Sequence, residues 1–174
     1  MRAVLLASVA IFSVGIAGQA FAAETDFSTS ATTTAALTVV CATDLRFGSV
    51  AVEPSNASAT ITVTAANGAT ATSSSTADIY PLTGSGPAAC TVANETGGNA
   101  TASLAAATGT FAGTTLSGVS ISDGAGGSLS ADIVLSAATG IGNGALYVGG
   151  VLTIPANYTA FATYAEPISL TVTD

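Results

Sequence analysis

Apolar and hydroxyl-bearing residues alternate one for one along Thr60-Ile61-Thr62-Val63-Thr64 and again along Ile168-Ser169-Leu170-Thr171-Val172-Thr173. A period of two puts the aliphatic side chains on one face and the hydroxyls on the other, the pattern of a half-buried β-strand. The β-branched residues in these runs suit a pleated surface. Runs of similar character predict further strands over residues 37–42, 45–52, 89–93, 100–104, 116–121, 129–135 and 145–154. Turn formers separate them at Asn67-Gly68, 84–87, Gly97-Gly98, 123–127 and 140–144. Alanine favours helix by propensity, but its threonine and glycine neighbours oppose it, and no capped 3.6-residue period follows the N-terminal region. Many short strands at regular spacing predict an all-β protein, an immunoglobulin-like β-sandwich. The Ala/Thr/Ser stretch 69–77 reads as a loop or weak strand within it, because a chain only 7% charged and dense in Val, Ile, Leu and Thr lacks the signature of disorder.

Composition narrows the chemistry. Ala, Thr, Gly and Ser fill 102 of 174 positions, which predicts a thin core. Arg2 and Arg46 are the only basic residues, and Lys, His and Trp are absent. Without histidine or lysine there is no His-based triad, no histidine metal site, no Schiff-base lysine and no P-loop lysine. A net charge of -8 opposes binding to nucleic acid or anionic membranes, both of which need a basic footprint. The remaining classes are a scaffold or carboxylate chemistry. Asp44, Glu53, Asp78, Asp123, Asp132 and Glu166 could supply the paired acids of a glycosidase, yet no spacing orders any two of them, and solvated surface carboxylates are the simpler reading. Asp123-Gly124-Ala125-Gly126-Gly127 with Asp132 departs from any calcium-loop spacing and reads as a hairpin turn. Tyr147, Tyr158, Phe161 and Tyr164 could form a sugar platform or belong to the core. The expectation is no enzyme, no cofactor and no metal.

The N-terminus has the parts of a secretory signal: Arg2, an uncharged apolar run over residues 3–17, and the small-residue cleavage pattern Ala20-Phe21-Ala22. Residues 1–22 are thus expected to be a signal peptide, with no membrane span in the processed chain, which is exported. Cys41 and Cys90 are an even count in an exported chain, which favours a disulfide over two buried free thiols. Closing a loop of about 50 residues stabilises by about 4 kcal/mol in the chain-entropy model.

Leu37-Thr38-Val39-Val40-Cys41 followed by Leu45-Arg46-Phe47-Gly48 resembles the opening of secreted bacterial pilin-like domains, in which an L-x-F-G motif follows the first strand. Val148-Gly149-Gly150-Val151-Leu152-Thr153-Ile154, with Tyr164 and the alternating run after Ile168, resembles their V-G-G-x-L-x-V closing pattern. The group comprises major subunits of chaperone-usher fimbriae, of the archaic, Mat/Ecp-like and spore-coat-U-like kinds, with related domains of unknown function. One departure is that such pilins usually close on an aromatic residue, whereas this sequence reads Val172-Thr173-Asp174.

The resemblance implies an incomplete sandwich over residues 37–174, completed by a strand from a neighbouring subunit and handled by a periplasmic chaperone and an outer-membrane usher. The partner would then be a second copy of the chain, in a homopolymer. Residues 23–36 are the candidate donor. Their odd positions, Phe27, Thr29, Ala31, Thr33 and Ala35, form an uncharged face, while Glu24, Asp26, Ser28 and Ser30 take the other parity. A disordered N-terminal tail is the competing reading of that segment. A surface adhesin or matrix domain that does not self-polymerise is the alternative function.

Overall fold

The structure, a computed structural model, describes residues 36–75, 77–160 and 162–174. They form twelve strands, with no helix among the described residues. The first six are β1 (Thr38–Thr43), β2 (Ser49–Val52), β3 (Ala59–Val63), β4 (Thr72–Ser73), β5 (Ile79–Thr83) and β6 (Ala88–Ala93). The rest are β7 (Thr101–Ala105), β8 (Thr110–Ala112), β9 (Thr115–Ser122), β10 (Ser128–Leu135), β11 (Gly144–Ile154) and β12 (Ser169–Thr173). All pairings are antiparallel, and the all-β sandwich expected from the alternation is observed.

One large sheet runs β1-β6-β11-β10-β9-β8. β11 is its spine. The first half of β11 pairs with β6, from Gly144↔Val92 to Val148↔Ala88, and the second half pairs on the same side with β3, from Gly150↔Val63 to Ile154↔Ala59. The changeover falls at Gly149, where an added Cβ would lie 2.2 Å from the Val63 carbonyl oxygen and 2.5 Å from the Ala65 nitrogen. Only a residue without a side chain admits the backbone of β3 as it turns away there.

The other four strands make two separate ribbons, β2-β5 and β12-β7. Their apolar faces meet the same core as the large sheet: Ile79 is fully buried, Ala102 and Leu104 nearly so, and Val50, Val52, Leu170 and Val172 half-buried against them. The core is more aliphatic than the composition suggests. Ile61, Ile79, Leu116, Val119, Ile133 and Leu146 are at its centre, while glycines, threonines and serines populate turns and outward faces. Alternation sorts the residues, so the small ones dominate the count without dominating the interior.

Several boundaries differ from expectation. The run 45–52 is a strand only over Ser49–Val52: Gly48 adopts φ +80°, and a Cβ there would meet the Thr83 carbonyl oxygen at 2.4 Å, so the chain bends onto β5 before pairing. The stretch 69–77 contributes the two-residue strand β4. Residues 123–127 form the β9–β10 turn, where Asp123 Oδ1 accepts hydrogen bonds from the amides of Ala125 and Gly127, each 2.8 Å. The signal peptide expected over 1–22 and the candidate donor residues Phe27, Thr29, Ala31, Thr33 and Ala35 lie outside the described residues. The description begins at Ala36, whose carbonyl accepts a hydrogen bond from Asn94 Nδ2 at 3.1 Å.

Candidate functional site

The gap between the two ribbons is an open groove of about 1310 Å³. Its floor is the inner face of the large sheet, with Val148, Leu152 and Ile154 of β11 beside Ile133, Leu129 and Ile121. One wall is the chain entering β2, with Leu45, Phe47, Val50 and Val52. The other is Leu170 of β12 with the preceding strap, including Tyr158, Tyr164, Glu166 and Ile168. The floor residues are at most 8% exposed, whereas the walls are half-buried, so the unfinished contact belongs to the walls.

Two clamps hold the strap. At its start Asn56, 2% exposed, accepts the Tyr158 amide on Oδ1 (2.8 Å) and donates from Nδ2 to the Pro155 carbonyl (2.9 Å). Its own carbonyl accepts the Asn157 amide at 2.9 Å. A buried amide with both ends satisfied fixes two loops at once. Further along, the Ala165 amide donates to the Ser122 carbonyl (2.9 Å), tying the strap to the end of β9. Between the clamps the Tyr158 hydroxyl donates to the Tyr164 hydroxyl at 2.6 Å. Burial, then this hydrogen bond, pushes the Tyr158 phenol well above its ordinary value, with smaller contributions from Tyr164 and Asp123.

Cys41 and Cys90 are joined by a disulfide, as direct cross-strand partners in the β1–β6 ladder, and both line the groove. The two sequence motifs also meet. A Cβ on Gly150 would stand 3.1 Å from Phe47 Cζ, so the phenyl ring of the first motif occupies the space that the second leaves empty. Neither Asn56 nor the tyrosine pair carried a sequence signal that marked its role, because each acts through contacts with distant segments.

The family described as Domain of unknown function (DUF4402) matches residues 37–173. The chain belongs to that family. The DUF4402 match spans all twelve strands, so the sheet, the two ribbons and the groove are all features of the DUF4402 domain, and residues 23–36 precede it. No curated protein and no solved structure matches the chain. Among the described residues of this DUF4402 domain no group of three or more His, Cys, Asp or Glu is placed to hold a metal ion, and no helix is long and apolar enough to cross a membrane.

Proposed function

We propose that this chain is a structural subunit of a bacterial surface fimbria, exported through a cleaved signal peptide and polymerised by donor-strand exchange. The carrying observation is the divided second layer. β2 pairs only with β5 and β12 only with β7, and both line a groove floored by core aliphatics. A single extended segment laid between them would join the ribbons into one sheet and cover the apolar walls. Residues 23–36 of a neighbouring copy suit that place, because their odd-numbered face is uncharged and bears Phe27. The resemblance of the L-R-F-G and V-G-G-V-L-T-I segments to pilin motifs agrees with this reading, and a periplasmic chaperone would cover the groove before assembly. The chain is read as non-enzymatic and free of cofactors because its sequence has no histidine and no lysine.

The test is electron microscopy of material sheared from cells that make the full chain, no chain, or a chain with residues 24–36 removed. Filaments should depend on the full chain and be lost with the segment. Unchanged filaments without the protein would remove it from the filament, and normal filaments without the segment would remove donor-strand assembly.

A further inference from the structure

Positive charge occurs at one place on the described domain, Arg46, the only basic residue after Arg2. It stands between β1 and β2, where its amide donates to the Gly86 carbonyl (2.9 Å) and its carbonyl accepts the Gly86 amide (2.8 Å), so its backbone is fixed. Leu45 and Phe47 on either side are half-buried, whereas Arg46 is exposed on the rim of the groove, without a side-chain partner among the described residues. The far end of β2 has the opposite sign. Glu53 follows Val52 directly, its amide donates to the Asp78 carbonyl at 2.7 Å, and its carboxylate accepts the Tyr80 hydroxyl. The register shift between Ser49 and Val50 puts Val50 and Val52 in the groove wall and leaves Glu53, like Arg46, exposed. One wall of the groove is thus cationic at one end and anionic at the other.

We infer that Arg46 sets the direction in which residues 23–36 of a second copy of this chain enter the groove, by pairing with Glu24 or Asp26 of that copy. The inference rests on the strand-exchange reading above. Glu24 and Asp26 are the only charged residues of the segment, and they stand together at its N-terminal end. Their parity is opposite to that of Phe27. When the odd face enters the groove, both carboxylates therefore take the outer face, on which Arg46 is exposed. Opposite charges on one face of neighbouring strands form favourable cross-strand pairs.

The charges give the groove a polarity that apolar burial, being non-directional, cannot supply. With the acids at Arg46, Phe27 comes next, beside Phe47 and Val50, and the segment runs parallel to β2. Reversing the segment with Phe27 still in the groove brings both acids toward Glu53 and Asp78, where like charges repel. Asp44, two residues before Arg46 and also exposed on the rim, opposes a slip of the acids past the guanidinium.

The experiment titrates a labelled peptide of residues 23–36 onto the purified full chain and onto its Arg46→Gln variant, beside a second peptide carrying Glu24→Gln and Asp26→Asn. The chain has a net charge of -8, so a general charge effect would make the neutral peptide bind the wild-type chain more tightly. Pairing with Arg46 reverses that sign. The neutral peptide should bind the wild-type chain about threefold more weakly, as for an exposed ion pair, and the deficit should vanish on Arg46→Gln and in about 1 M salt. A neutral peptide that binds as tightly as the acidic one, or a deficit that persists on Arg46→Gln, would overturn the role of Arg46 while leaving strand insertion intact. No binding of either peptide would overturn strand insertion and this assignment with it.

Discussion

A methyl group at residue 149 has nowhere to go, because the nearest atoms are backbone of residues 63–65 and cannot rotate aside. Gly149→Ala is accordingly expected to destabilise the fold by about 3 kcal/mol, at the upper end of overpacking costs. Gly86→Ala, with no heavy atom within 4 Å of its added Cβ, should change stability little. Urea denaturation of the two variants makes the comparison, and equal midpoints would show that β3 can move away from β11. Tyr158 offers a prediction in pH. Its phenol is raised in the folded state, so the stabilisation it gives is complete below the unfolded value of about 10 and is lost as pH rises from there. Thermal unfolding followed upward from pH about 10 should fall less steeply in Tyr158→Phe, whereas parallel curves would mean that this hydroxyl contributes nothing. The Phe47 and Gly150 motifs were visible in the sequence. Their contact was not, since a separation of about a hundred residues carries no signal in one sequence.

Strands with clean alternation were legible at the scale of elements, and those with interrupted patterns were not. β3 and β12 fall within a residue of their expected limits, while β5 carries Pro81, which argues against a strand until its pairing with β2 alone is seen. β8 has only three residues and pairs with β9 across the intervening Gly113-Thr114, too short a run for any period. β1 shows what the disulfide does. It lies at one end of the large sheet, pairs only with β6, and leaves Val40 65% exposed, so few apolar contacts hold it. The Cys41–Cys90 bridge fastens its middle to a strand whose inner residues are buried, and closes a loop across a sequence separation of 49. Cys41→Ser with Cys90→Ser should lower the free energy of unfolding by about 2 to 4 kcal/mol. Hydrogen exchange should locate the first loss in β1, where local opening is easiest. Unfolding at the same denaturant concentration with and without the bridge would refute that role.

The described domain is a sandwich with one continuous layer and one divided layer. Nine strand runs can be read from the sequence, but a gap between β2 and β12 is an absence of pairing between segments more than a hundred residues apart, and only the three-dimensional arrangement reveals it. This division makes the assembly reading sensitive to parity. If residues 23–36 of a second copy enter the groove with their odd face inward, Phe27 packs between the half-buried apolar walls and its burial contributes about 1.5 to 3 kcal/mol per junction. Phe27→Asp places a charge against those apolar walls and should weaken every junction. Ser28→Asp adds the same charge one position along, where it faces water, and should be nearly neutral. Filament yield and resistance to heat or detergent, compared at matched expression, separate the two. Equal losses would mean that charge on the segment matters and its face does not, and equal resistance would mean that Phe27 is not buried between subunits at all.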